Sequence, residues 1–248
     1  MLKHITIEGL RNLAHAQVAL PAGATVLFGA NGSGKTSFLE AIHLLAVGRS
    51  FRTHQSKPVI QHGMAQCRVV GEVQRGGRAT LMGLEKHRDG GVKARVGGEN
   101  VPSLSELALH LPLVLLDTEG LGIVTGPPEG RRRLLDGTLF HVEKGFLSQW
   151  KRHALAVRQR NSGLRRGILG SDRAWRQEIA ETGTLLTQQR QAVAEKLARE
   201  LARLAPTLSD DLAGLEVVFR AGWDQKLSLF EALERNCLLY TSPSPRDS

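Results

Sequence analysis

Residues Gly29-Ala30-Asn31-Gly32-Ser33-Gly34-Lys35-Thr36 satisfy the pattern G-x-x-x-x-G-K-[ST] at every fixed position. An apolar run, Thr25-Val26-Leu27-Phe28, precedes them and a helical pattern follows, which is the context that such a turn requires. Glycines let the backbone curl tightly, so that successive N–H groups point inward at anionic oxygens. A helix beginning near Lys35 adds the positive end of its dipole. From there the Lys35 ammonium can reach β- and γ-phosphates, and the Thr36 hydroxyl can ligate the Mg²⁺ carried by the nucleotide. The motif therefore points to an α/β protein that takes ATP and Mg²⁺ at residues 29–36.

Periodicity gives the surrounding elements. Leu2, Ile5 and Ile7 among polar neighbours predict a strand, and Val18 and Leu20 a second that ends at Pro21-Ala22-Gly23. Thr25–Phe28 reads as a buried strand. Ser37 to Val47 reads as a helix with Phe38, Leu39, Ile42, Leu45 and Ala46 on its apolar face. From Cys67 to Val101, short alternating runs are separated by Gly76-Gly77, Gly90-Gly91 and Gly97-Gly98, the texture of an antiparallel meander. Leu104–Leu111 reads as a short helix and Leu113–Leu116 as another buried strand. Beyond Pro127-Pro128 the chain turns helical and arginine-rich. Leu147, Trp150, Ala154 and Val157 recur at helix spacing. Asp172 is placed to cap a long helix. Its apolar positions, Trp175, Ile179, Leu186, Val193, Leu197, Leu201 and Leu204, resemble a helical-arm seam that breaks at Pro206. Leu215, Val217 and Phe219 read as a strand, and the polar tail from Thr241 to Ser248 as disordered.

Composition narrows the partners. The formal net charge is +9 over 248 residues, and the sequence pI is about 10.1. Such an excess favours a polyanion, either nucleic acid or an acidic membrane surface. Arg49, Arg52 and Lys57 follow the motif's helix, Arg131-Arg132-Arg133 follow the proline pair, and further arginines decorate the helical region. Such side chains suit backbone phosphates. Aromatic residues make up only 4% of the chain, so stacking platforms for bases are scarce and phosphate contacts should dominate. Cys67 and Cys237 are far apart and have no ligand-like neighbours, which gives neither a disulfide framework nor a zinc site. The nine histidines are scattered without metal spacing. No apolar stretch has the length of a membrane span or the form of a signal peptide, and a cytoplasmic location is expected. An acidic residue after a buried strand commonly holds Mg²⁺. On the residues alone, Asp117 stands in that position and competes with a plain surface acid.

Several stretches together resemble the RecF family, a branch of the ABC/SMC-type ATPases. They are Ile5–Leu13, with its Arg11-Asn12 turn; Gly29–Thr36 with Phe38–Ile42; Gly48-Arg49-Ser50-Phe51-Arg52-Thr53; His110–Leu116; Gly126–Asp136; and Arg158–Asn161. The resemblance covers most of residues 1–235. It implies a P-loop ATPase head, a mixed sheet with an antiparallel β meander, over residues 1–125, and an inserted helical arm over 126–235. It implies ATP-dependent binding of single-stranded or gapped DNA in replication, recombinational repair and the SOS response. It also implies RecR/RecO-type mediator partners and an ATP-dependent homodimer. Arg49, Arg52, Arg131, Arg132 and Arg133 are then the candidate DNA contacts.

Two departures matter. Asp117-Thr118-Glu119-Gly120 replaces the family's Pro-Glu-Asp-like turn. The family's Walker B carboxylates and signature motif lie C-terminal to anything in this sequence, so Asp117 loses its claim on magnesium. Phe146-Leu147-Ser148-Gln149 is only a faint echo of a signature. After Asn236 the sequence leaves the family pattern, and 236–248 reads as a non-native tail on a truncated chain. Weak ATP turnover is expected. Two other readings compete: the ATPase subunit of a membrane transporter, and a nucleotide kinase. The Gly48–Thr53 segment and the helical arm disfavour the first. The meander disfavours the second, since kinases continue with alternating strand and helix.

Overall fold

The computed structural model describes residues 1–53, 55–116, 120, 122–168 and 170–237. The chain divides into two compact units, residues 1–117 and 118–248.

In the first unit, β1 (Leu2–Leu10) and β2 (Leu13–Ala19) form a hairpin. The helix α1 (Lys35–Val47) follows. Then come β3 (Gln66–Arg75), β4 (Arg78–His87), β5 (Val92–Val96) and the short β6 (Glu99–Asn100). They make one six-stranded sheet in the order β2-β1-β3-β4-β5-β6, and all the pairings between described strands are antiparallel. The meander is as its glycine pairs led one to expect, with tight turns at Gly76-Gly77 and Gly97-Gly98. The helix α2 (Ser105–His110) closes the unit where Leu104–Leu111 indicated it.

One face of the sheet is the core. Ile5, Ile7, Leu10, Val69, Met82 and Leu84 alternate inward, and Ala41, Leu44 and Leu45 of α1 and Leu107 of α2 pack on them. Gly71, paired with Ile5, fixes how closely α1 approaches. A Cβ at Gly71 would stand 2.5 Å from Leu45 Cδ2 and 2.9 Å from Leu2 Cδ1. The apolar face of α1 differs in detail from the expected one. Leu39 is 48% exposed, while Ser37, Glu40 and Ala41 are buried.

Two expected strands do not form. Residues 25–28 and 113–116 carry no ladder, and Val26, Phe28, Val114 and Leu116 are 79%, 91%, 81% and 89% exposed. An apolar run becomes a strand only where a neighbour exchanges backbone hydrogen bonds with it. No described strand does so here. Leu215–Phe219 is likewise irregular rather than a strand.

The second unit is helical among its described residues: α3 (Gly122–Thr125), α4 (Pro128–Val142), α5 (Phe146–Arg165), α6 (Asp172–Leu208) and α7 (Leu229–Cys237). Pro128 opens α4 at a position where no N–H is needed. Leu139, Phe146 and Leu186 bury one another. A bidentate pair, Arg190 to Asp136 at 2.6 and 2.9 Å, ties α6 to α4. Asp172 does not cap α6. Its carboxylate is taken by Arg160 and Arg176, each at 2.8 Å. Pro206 does not break the helix, which runs to Leu208. A proline that near the end costs one hydrogen bond without a partner turn to kink. Along the seam, Ile179 and Leu186 are buried as expected, whereas Leu204 is 41% exposed and Ala194 and Ala205 are buried instead.

Adding one methyl at Gly71 should force α1 off the sheet. Gly71→Ala is expected to destabilise the first unit by about 1–3 kcal/mol in urea unfolding. Unchanged stability would show that α1 is not held by that close approach.

Candidate nucleotide-binding site

Gly34 adopts φ +101° and its neighbours Gly29 and Gly32 also have positive φ, so the loop before α1 takes a curl that residues with a Cβ resist. A Cβ at Gly34 would lie 2.7 Å from Leu13 Cδ2, so the leucine tip would have to shift in addition to the backbone strain. The helix starts at Lys35 with no side-chain cap and no acidic residue in its first turn. Its orphan N–H groups and dipole are thus presented to whatever lies in front of the loop. Lys35 Nζ curls back over the loop and donates to the carbonyls of Gly29 and Ala30, both at 2.8 Å.

A cavity of about 610 Å³ opens here, lined by Asn31, Gly32, Ser33, Gly34, Lys35, Thr36 and Ser37 and also by Arg11, Asn12 and Arg52. That volume suits a drug-sized ligand. Arg11 and Asn12 come from the β1–β2 turn. Arg11 carries φ +53° there, an uncommon backbone state for a side chain of its size. Asn12 Nδ2 donates to Gly32 O at 2.6 Å, and Ser37 Oγ donates to Asn12 Oδ1 at 2.8 Å. The asparagine therefore holds the loop against the hairpin.

Behind the cavity lies Glu40, fully buried in α1. Arg11 donates to it twice, Nε to Oε2 at 2.9 Å and Nη2 to Oε1 at 2.7 Å. Arg11 Nη1 donates to Pro58 O. Ser50 Oγ donates to Glu40 Oε1 and accepts from the backbone N–H groups of Arg52 and Thr53 at 2.9 and 3.2 Å. Arg52 Nη1 stands 3.6 Å from Glu40 Oε2. Burial by itself would raise the Glu40 carboxyl. Hydrogen bonds from Arg11 and Ser50, with the charges of Arg11 and Arg52, outweigh it and hold the group below the ordinary glutamate range.

The segment after α1 is pinned from the same helix. Gly48 ends α1 at φ +76°, its N–H bonded to Leu44 O at 2.8 Å. His43 Nδ1 lies 2.7 Å from Arg49 O, so that nitrogen carries the proton. The ring also meets Phe51 edge-on, with centroids 5.4 Å apart. Burial, and secondarily the Arg49 charge, holds His43 below the ordinary histidine value.

Of the expected residues 29–36, Gly29 and Ala30 are outside the cavity lining and accept hydrogen bonds from Lys35, whereas Asn31 to Thr36 line the cavity and Arg52 stands at its edge. Arg49 is exposed on the same segment. Arg131, Arg132 and Arg133 belong to the other unit, on α4. Arg131 Nη1 donates to Ile123 O, Val124 O and Gly126 O at 2.9, 3.3 and 3.1 Å, which caps the carbonyl end of α3. Arg132 and Arg133 are exposed. Asp117 lies outside the described residues, as does His54. Phe146, the start of the faint signature echo, is buried in the helical core instead. Among the described residues no cluster of His, Cys, Asp or Glu could hold a metal ion. No described helix is long and apolar enough to cross a membrane. Sequence reasoning missed Glu40, Arg11 and Asn12 as parts of this site. The signal for Glu40 was present: Ser37, Ala41 and Leu44 bracket it on the buried arc of α1, and a carboxylate there requires a cationic partner.

With this geometry in view, the comparisons are informative. A family model described as the RecF/RecN/SMC N terminal domain matches residues 1–209. A protein of Pseudomonas putida named DNA replication and repair protein RecF is 41% identical over 244 residues, covering 96% of this chain and 65% of its own length. Proteins of the same name from Pseudomonas fluorescens and Marinomonas sp. are 39% and 37% identical, each covering 94% of this chain and 64% of its own length. The chain therefore spans about two thirds, slightly less, of the relatives that it resembles. A solved structure titled as the recombination mediator protein RecF-ATP in the RecFOR pathway superposes with a TM-score of 0.79 at 22% identity. It covers 98% of this chain and 69% of that one, a likeness of fold.

His43 should titrate below ordinary histidines. Its folded pKa is depressed, so between that value and the unfolded one the unfolded state binds more protons and stability falls as pH is lowered. Stability measured from pH 7.5 to 5.5 should therefore decline less steeply in His43→Gln than in the parent. Parallel curves would refute the assignment.

Proposed function

The chain belongs to the RecF/RecN/SMC N-terminal domain family, and from that premise we propose that it is the ATP-binding head portion of a RecF-type DNA replication and repair protein. The observation that carries the reading is the cavity at residues 31–37, where a glycine loop, a helix N-terminus, Lys35 and two arginines converge. A triphosphate carries the charge to meet the loop amides, Lys35 and Arg52, while Arg11 is paired with Glu40. Lys35 leaves its two carbonyl partners for the β- and γ-phosphates. The Thr36 hydroxyl, exposed on the cavity wall, supplies one hard oxygen to Mg²⁺, and phosphate oxygens and water supply the others. Magnesium would thereby neutralise phosphate charge.

Single-stranded or gapped duplex DNA is the polyanion that this reading gives to the +9 chain. Arg49, Arg132 and Arg133 contribute contacts to DNA phosphates, Arg52 is taken up by the nucleotide cavity instead, and Arg131 orders the start of α4. Mediator proteins of the RecR/RecO type fit the RecFOR title of the solved neighbour, and a head-to-head dimer closing on ATP is part of the same proposal. The domain division at about residue 125 and a cytoplasmic location accompany this reading. The transporter-subunit alternative finds no support among the relatives. Weak turnover of the bound ATP accompanies this reading.

Two measurements test this. Lys35→Ala should weaken binding of labelled ATP about 10–100-fold, the value of a charged hydrogen-bonding group. Equal uptake would sink the proposal. DNA binding should weaken steeply and log-linearly with salt, whereas liposome binding in place of DNA binding would favour the transporter alternative.

A further inference from the structure

Glu40 touches neither the loop nor the cavity directly, yet it is bonded to both cavity walls that the glycine motif does not supply. One wall is the β1–β2 turn, where Glu40 takes two hydrogen bonds from Arg11. The other is the turn at residues 50–53, where the Ser50 hydroxyl donates to Glu40 and receives the N–H groups of Arg52 and Thr53. The pair with Arg11 consumes its guanidinium almost fully, since its third nitrogen is held by Pro58 O. Arg52 is different. It sits 3.6 Å from Glu40, beyond hydrogen-bond reach, with a side chain 46% exposed. One carboxylate facing two guanidiniums leaves an excess positive charge at the cavity edge, and Arg52 is the group free to deliver it.

We propose that Glu40 is a positioning residue of the nucleotide site: a buried carboxylate that locks Arg11 and, through Ser50, aims Arg52 into the phosphate cavity. The inference rests on the ATP reading above and adds a residue that the glycine motif does not contain. It also makes a prediction with a sign. If Glu40 acted only through its charge, removing a negative group near bound phosphates would tighten nucleotide binding. If it acts by position, removal loosens binding despite the gain in positive charge. The loss should fall on ATP more than ADP, because the added phosphate is what a cation at the cavity edge reads.

The test is titration of full-length parent, Glu40→Gln and Ser50→Ala with ATP and with ADP, beside unfolding midpoints without nucleotide. Glu40→Gln is expected to weaken ATP about tenfold or more, the value of a hydrogen bond to a charged group, and ADP clearly less. Ser50→Ala leaves the Arg11 pair in place and should weaken ATP about threefold to tenfold. ATP binding by folded Glu40→Gln as tight as the parent or tighter overturns the proposal. So does an equal loss for both nucleotides, which marks a merely structural residue. If Glu40→Gln does not fold, Ser50→Ala decides: unchanged ATP affinity overturns the proposal and a selective loss supports it. A parent that takes up neither nucleotide removes the ATP reading and this inference together, whereas variants that fail while the parent binds remove only the inference.

Discussion

A carboxylate withdrawn completely from water is tolerable only when cations and donors meet both of its oxygens. In the first unit that condition is met at Glu40, and the local architecture follows from it. Arg11 must lie across α1, which sets the β1–β2 turn and its left-handed backbone at Arg11. Ser50 must point inward, which folds the basic segment back on the helix. Asn12, next to Arg11, then meets both the glycine loop and Ser37. The glycine loop is thus held from behind by a charge network and beneath by close packing of α1 on β3.

That arrangement explains why a chain with so few aromatic residues is suited to phosphate chemistry. The positive ends of the site are of different kinds. Backbone N–H groups and the helix dipole are fixed partial charges. Lys35 is a mobile point charge with borrowed carbonyl partners, and Arg52 a loosely held fork. Fixed charges pre-organise the site at little cost on binding. Mobile ones can follow a ligand, and it is these that can distinguish one nucleotide from another.

Much of this was legible in the residues. The glycine pairs announced the meander, and the spacing of Phe38, Ile42 and Leu45 announced α1. The motif at 29–36 announced the cavity, because its chemistry is local: a turn, a helix start and one lysine. Thr25–Phe28 and Leu113–Leu116 misled because apolar character records a preference for burial without naming the strand that would pair. Asp172 misled for a related reason. Its spacing to the next helix was right for a cap, but Arg176, one turn on, and Arg160, twelve residues back on the preceding helix, claimed its oxygens. Glu40 escaped notice because its partners, Arg11 and Ser50, are separated from it by 29 and 10 residues, and only the fold brings them together.

The central claim is that the amides of the glycine loop and the first turn of α1 close around a triphosphate. Backbone amide resonances followed while ATP and Mg²⁺ are added test it most directly. The account expects saturable shifts concentrated at Asn31–Ser37, with Arg11, Asn12 and Arg52 following. Shifts confined to other parts of the chain, or none at all with the protein folded, would contradict it.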